Sequence, residues 1–444
     1  MLEATQHVGG RNRTVRHGDT LHEVDSKQVC SFDDEPHLYF NAGPARLPYH
    51  HGAVMAYCRE FGVALEPFIN TNGAAWLHDS KRFGGKPQRQ HRVQTDTRGY
   101  LSELLAKALS PASLGKAMSA EEVDGMKLFL RAYGDLTPDY TYKGSNRAGS
   151  VNDSVMELGK PHAPLPMHDL FGGEFMQWKV SFAEDVNQHP TMMQPVGGMD
   201  MIPRAFLKRV GHMITRGAPV TSIMNEERGV RVRYQAPDGS GEREILADFC
   251  INNAPGYLVL GMHNNFSAAY REGLEKIRPG KLFKIAFQGK RRFWEEDDQI
   301  FGGISWTDQD ITQMWYPPHG FMSKKGVLLA SYTFAPQIGD KWSAMTPAAR
   351  LRAAIEQCSQ LHPGFGDKVE AGVSVAWQKV PYMFGCAPEL EEQDRAKYFP
   401  RLRQAEGRHY LVGDQMTYQS GWQEGAIRSA HLVVEDIAER TATA

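Results

Sequence analysis

The residues best placed to do chemistry lie at the two ends of the chain. Near the start, "MLEATQHVGGRNRT" puts an acid, Glu3, where a short apolar strand would end, and then brings Gly9, Gly10 and Arg11 in succession. An acid at the close of a strand can bond the ribose hydroxyls of a dinucleotide, and glycines let the backbone approach a ligand closely. The G-x-G-x-x-G fingerprint that accompanies such an acid falls ~20 residues before it. Within this chain "FGGEF", "GFGD" and "PVGGMD" lack its spacing. Near the other end, "GRHYLVGDQ" reads as an apolar strand stopping at Gly413 and Asp414. "GWQEGAIRSAHLVVEDIAERT" reads as a helix with Gly421, Gly425 and Ala426 in its first turns. A helix N-terminus carries unpaired N–H groups and a partial positive charge, which suit a pyrophosphate or a carbonyl oxygen of a large flat ligand. Asp414 can accept hydrogen bonds from a sugar-like hydroxyl chain. An ordinary βα unit would show the same pattern.

The elements that must position these groups belong to a large chain. Its 444 residues allow roughly three domains, and 41% hydrophobic with 23% charged residues is a folded composition. A formal net charge of −2 leaves no field favouring nucleic acid or an anionic membrane. No apolar run approaches ~18 residues, so no transmembrane helix is expected. Cys30, Cys58, Cys250, Cys358 and Cys386 are odd in number and scattered, which reads as buried free thiols and favours the cytoplasm. No zinc spacing is present.

Along the chain, "DDEPHLYFNAG" reads as a strand entering a loop, and "AVMAYCREFGVAL" (53–65) as a helix with a Gly stop. Residues 98–140 and 150–160 read as mostly helical. "PVGGMDMIPRAFLKRV" is a Gly turn and then a helix with Pro203 near its start, where proline is tolerated. Residues 219–255 alternate in period two and read as a β-meander ending in the buried strand "FCINNAP". "KLFKIAFQGKRRFW" and "GVLLASYTF" read as strands, "AARLRAAIEQCSQL" as a helix, and "GKRRFWEEDD" as a solvated turn.

Taken together, these segments resemble the flavin-dependent amine oxidase family, and within it the L-amino acid oxidases. "LEATQHVGGRNRT" resembles that family's ribose-acid turn, and "YFNAGPARLPYHH" the loop carrying the amino acid oxidases' carboxylate-binding arginine. "PVGGMDMIP" and "PVTSI" resemble the second FAD segment, "KLFKIAFQGKRRFWE" the strand bearing the lysine near flavin N5, and "AWQKVPYMFGC" the aromatic segment beside the flavin. "LVGDQMTYQSGWQEGAIRSA" resembles the C-terminal FAD unit. The resemblance covers nearly all of the chain in the family's order. The family's G-x-G-x-x-G unit would fall before residue 1, so the resemblance implies a chain whose N-terminus is truncated or begins at an internal position, and which holds FAD weakly.

The implied fold is α/β: a Rossmann-like FAD-binding domain of the glutathione-reductase type, lacking its first βα unit, with a mixed-sheet substrate domain and a helical insertion. The expected pieces are 1–40, 204–278 and 400–444 for FAD, 41–97, 191–203 and 279–399 for substrate, and 98–190 for the insertion. The implied activity is FAD-dependent oxidation of an L-amino acid to the 2-oxo acid, ammonia and hydrogen peroxide, with O2 as acceptor. Arg46 is the expected carboxylate grip, its planar fork suited to a bidentate hold. Tyr332 is the expected second donor, with Ser331 one register step away, and Trp422 an expected wall of the substrate cage. Lys284 maps onto the lysine that holds a water near flavin N5, with Lys281 the neighbour to be distinguished from it. The expected cofactor contacts are Glu3, Gly9, Gly10 and Arg11, then Gly43, Pro44, Ala45 and Arg46, then Val220 and Trp377, and finally Gly413, Asp414, Gly421, Trp422, Gln423 and Ala426. Competing readings are an amino acid 2-monooxygenase, a primary-amine oxidase, and a non-catalytic remnant that does not hold FAD; a homodimer is left open.

Overall fold

The computed structural model describes residues 1–110, 118–152, 155–172, 179 and 181–442. Its largest element is a seven-stranded mixed sheet in the order Val369–Ala376, Phe283–Gly289, Gly326–Thr333, Gln313–Trp315, Ile304–Thr307, Trp76–His78 and Gln88–Arg89. Neighbours run antiparallel except Ile304–Thr307 with Trp76–His78. Every residue of Phe283–Gly289 is buried, because both faces of the strand are covered. Side chains alternate along a strand. Phe283, Ile285 and Phe287 therefore pack on one side, with Trp342, Cys358 and Phe365. Leu282 and Ala286 pack on the other, with Val15, Phe32, Phe40 and Trp377. Lys284 shares parity with Ala286, and this is what turns its amine toward residues 40–43.

Two short parallel ladders lie outside this sheet. Leu2–Glu3 pairs with Thr215–Arg216, and Cys250–Asn252 pairs with His409–Leu411. The antiparallel meander Val220–Glu226, Gly229–Gln235 and Glu242–Ala247 is joined by parallel His263–Asn264. The closing helix Gln423–Ala442 lies against Gly52–Glu60, where the Glu424 carboxylate accepts from the backbone N–H of Ala53 and Val54 at 2.9 and 3.0 Å. A carboxylate there takes up two of the donors that a helix start leaves unpaired. No described helix is long and apolar enough to cross a membrane.

Three sequence expectations need correction. Among the described residues of 150–160 there is no helix. Instead Asn152 Oδ1 accepts from the Lys160 backbone N–H at 2.7 Å, a local side-chain bond of the kind that competes with helix formation. Val155 and Leu158 are 98% and 96% exposed, so no apolar face is buried there. "GKRRFWEEDD" is not a solvated turn: Phe293 and Trp294 are fully buried in the main core, and Arg292 is buried beside them. Lys290, Arg291, Glu296 and Asp297 form the exposed charged face. "FCINNAP" does not end the meander as a buried strand. Cys250–Asn252 leaves it to pair with His409–Leu411, and Ile251 is half exposed. The helix expected from residue 98 begins earlier, as Gln90–Ala108, and packs on Ala120–Gly134.

Candidate active site

The two ends of the chain meet. The Arg11 guanidinium donates to both oxygens of Asp414, Nη2 to Oδ1 at 2.5 Å and Nη1 to Oδ2 at 3.2 Å. Asp414 Oδ2 also accepts the Gly421 backbone N–H at 2.8 Å. The turn before Arg11 needs glycine: Gly9 and Gly10 have φ of 112° and 53°, and a Cβ on Gly9 would meet the Pro203 ring at 2.9 Å. Gly413 is likewise at φ 112°, with its N–H donated to Ser429 Oγ. Glu3 closes its strand, but its carboxylate is turned to its own loop, accepting from Thr5 N and Thr5 Oγ1 at 2.9 Å each. Val220 lies nearby at the start of the meander, since the Ala218 N–H donates to the Glu3 carbonyl.

A second centre gathers where the loop 41–46 crosses the sheet. Lys284 is buried and donates to the carbonyls of Asn41, at 3.2 Å, and Gly43. Its ammonium lies 4.7 Å from the centre of the Tyr332 ring. Burial draws its pKa down to about 7. Lys281 lies outside the strand, on the surface, paired with Asp340 at 2.5 Å. Tyr332 stands directly opposite Lys284 on the adjacent strand and packs edge-on against Trp315. Ser331 points to the opposite face and donates to the Ile311 carbonyl. Trp377 is buried, with Nε1–H donated to the Ala42 carbonyl at 2.8 Å. Gly43 stands against the Arg11 backbone so closely that a Cβ would overlap the Arg11 carbonyl oxygen, so this loop joins the two centres.

Arg46 is 8% exposed and has no carboxylate partner among the described residues. Its Nη2 donates to Gln188 Oε1 at 2.6 Å, while Nε and Nη1 are buried without a partner among the described residues. Aromatic rings flank it: its guanidinium carbon is 4.3 Å from the Trp315 ring centre and 5.7 Å from that of Phe182. Desolvation draws its pKa down to about 10. Trp422 packs on the same aromatic cluster and meets His51 edge-on. Pro44, Ala45 and Ala426 lie on the segments that enclose these groups. Sequence reasoning did not single out Trp315, Phe182 or Gln188. Trp315 and Phe182 carry no signal beyond being aromatic. Gln188 comes from the far side of the helical segments. Cys386 is a free thiol placed by the fold beside Arg11 and Lys284.

Whether these residues suit a flavin is decided by their unpaired groups. Among the described residues, His7 Nε2, Arg46 Nε and Nη1, and Gln423 Nε2 are buried without partners. All lie on the three segments that converge here. Guanidinium and amide N–H groups demand acceptors, and a flavin nucleotide and an anionic substrate offer mainly acceptors at their phosphate, carbonyl and carboxylate oxygens. The residue set fits.

The chain matches the flavin containing amine oxidoreductases over residues 1–438 and belongs to that family. Its cofactor is FAD. It is 26% identical to an L-amino-acid oxidase of Siganus canaliculatus over 466 residues, spanning 99% of this chain and 81% of that one. It is 25% identical to an L-amino-acid oxidase of Demansia vestigiata over 451 residues, spanning 98% and 81%. Among solved structures it resembles putrescine oxidase bound to putrescine, with a TM-score of 0.65 at 14% identity over 99% of this chain and 93% of that one. Cyclohexylamine oxidase from Brevibacterium oxydans IH-35A gives 0.64 at 14% identity over the same shares. These two likenesses show a shared fold.

Proposed function

We propose that the protein oxidises the Cα–N bond of an L-amino acid, releasing the 2-oxo acid, ammonia and hydrogen peroxide. The observation that carries this reading is Arg46. A buried guanidinium with no carboxylate beside it costs free energy unless something anionic completes it, and an amino acid brings a carboxylate. The names of the relatives support the same reading. FAD, when bound, supplies the two-electron acceptor for the Cα–N centre and returns the electrons to O2.

The roles of the protein groups follow from their chemistry. Arg46 offers in-plane N–H donors for a carboxylate, and the Tyr332 hydroxyl, its pKa pushed up to about 12 by burial, stays neutral and can donate. A fixed carboxylate orients the Cα–H, and orientation accounts for much of the rate in such reactions. Trp315 and Trp422 exclude water from the cage. The Lys284 amine, neutral for part of the time near pH 7, holds a water or moves a proton during imine hydrolysis or the reaction with O2. In this reading Glu3 holds the ribose, and Gly9, Gly10, Arg11, Gly413 and Asp414 attend the phosphates and ribityl chain. Val220 lies at the adenine end. Gly43, Pro44, Ala45, Trp377, Gly421, Gln423 and Ala426 border the flavin ring.

The test is product analysis on the FAD-loaded full chain, given a panel of L-amino acids and the matching carboxyl-free amines. Ammonia and a 2-oxo acid from the amino acids alone are expected. An amide with CO2 would make it a monooxygenase, and aldehyde from the simple amines would make it an amine oxidase; either result sinks the proposal.

A further inference from the structure

The Arg46 fork is aimed by one neutral side chain. Among the described residues, Gln188 Oε1 is the partner of Arg46 Nη2, at 2.6 Å. The ring of Trp315, and more distantly that of Phe182, lie against the guanidinium, while Gln188 bonds it at Nη2. Its carbonyl-type oxygen takes one of five donors, and among the described residues the Nε–H and both Nη1–H groups are left without a partner. The residue is itself held. The Asn70 amide donates to the Gln188 backbone carbonyl at 2.5 Å. Next door, Asn187 Oδ1 pairs with His51 Nε2 at 3.0 Å and with His50 Nε2 at 3.3 Å. The rings of His189 and His50 stack. The segment 187–189 is thus fastened to the loop and helix start that follow Arg46, and Gln188 cannot swing independently of them.

An acid at this position would behave differently. It would neutralise the guanidinium from within and compete with any incoming carboxylate. A glutamine directs the fork while leaving its charge uncompensated. We infer that Gln188 is a positioning residue that orients Arg46 for the substrate carboxylate and, being neutral, keeps the site selective for anionic substrates. This rests on the reading of Arg46 as the carboxylate grip.

The experiment uses the FAD-loaded full chain, with benzoate as the carboxylate probe followed by the change in flavin absorbance, and steady-state kinetics with an L-amino acid alongside. Gln188→Glu is expected to weaken benzoate and raise KM by about 30-fold, with kcat changed far less, because the introduced carboxyl takes the fork. The loss should shrink as pH falls and that carboxyl protonates, which a purely structural defect would not do. Gln188→Leu, which removes the acceptor without adding charge, should weaken benzoate by about five-fold, and it carries the test if the acid variant fails to fold. Benzoate affinity within two-fold of the parent in the variant that folds, while Arg46→Met abolishes it, would overturn the role of Gln188 alone. Undiminished benzoate binding in Arg46→Met would overturn the carboxylate-grip reading instead.

Discussion

Two buried arginines separate the part of this protein that holds itself together from the part that waits for a ligand. Arg350 is fully buried and closed. Its Nη1 and Nη2 donate to the two oxygens of Glu23 at 2.7 and 2.8 Å, and its Nε donates to the Trp342 carbonyl at 3.0 Å. Glu23 in turn accepts the Ala376 N–H at 2.9 Å, so the pair ties the hairpin Thr20–Glu23/Ser26–Val29 to the large sheet and the helix Pro347–Cys358. Arg46 is almost as buried, yet among the described residues it has one neutral acceptor and two unpaired nitrogens. The lysines repeat the contrast in a different form. Lys281 meets Asp340 at the surface, while Lys284 is buried and donates to the carbonyls of Asn41 and Gly43. Arg350 is answered by a carboxylate, as Arg11 is by Asp414, whereas among the described residues Arg46 and Lys284 have none.

The sharpest way to break this contrast is Glu23→Gln. It should strip Arg350 of its counter-charge and lower the unfolding free energy by about 3–5 kcal/mol, as removal of one partner of a buried pair does. Urea titration measures this, and a loss below about 1 kcal/mol would mean that water or a rearranged partner compensates. Next comes Arg46→Met. It should cost about 2–5 kcal/mol of transition-state stabilisation in kcat/KM for an L-amino acid, while leaving urea stability equal or higher, since an uncompensated buried charge is removed. A large loss of stability instead would make Arg46 a second structural arginine.

Lys284→Met is expected to be intermediate. Anaerobic reduction of the flavin by substrate should suffer less than reoxidation by O2 in stopped-flow measurements. Stability offers an independent check. The Lys284 pKa is about 7 in the folded chain, against about 10.4 unfolded. Between those values the unfolded state binds more protons, so this group makes stability rise with pH from about 7 to about 10, and its penalty is fully present below pH 7. The variant should lose that rise and be relatively most stabilised at and below neutral pH. An unchanged pH dependence would place the Lys284 amine in contact with water. Lys281→Met should matter least, by about 0–1 kcal/mol, because its ion pair is exposed; slowed reoxidation in this variant rather than in Lys284→Met would exchange their roles.

Much of this was legible in the residues. The glycine turn at Gly9 and Gly10 follows from the positive φ values that only glycine adopts freely. The closing helix and the strand Phe283–Gly289 follow from apolar patterning and length. The errors share one cause. In "GKRRFWEEDD" the charges suggested solvent, but the neighbouring helices decide whether Phe293 and Trp294 are covered. At 150–160 the helical spacing had no partner to bury it, and the Asn152 side chain closed a loop instead. "FCINNAP" had the composition of a strand, yet composition does not say which strand is its neighbour.

By itself the sequence determined which residue types were available and their local geometry: the glycine turns, the acids at strand ends, and the period-two alternation that sends Lys284 to the opposite face from Phe283. The family was legible there too, because its segments recur in order. Only the tertiary structure decided which charges are answered. Whether an arginine is closed like Arg350 or left open like Arg46 depends on groups far away in the chain, Glu23 at 327 residues for the first and Gln188 at 142 for the second. Electrostatic cost is set by burial and by partners in space, and neither is a property of the arginine's own neighbours in the chain.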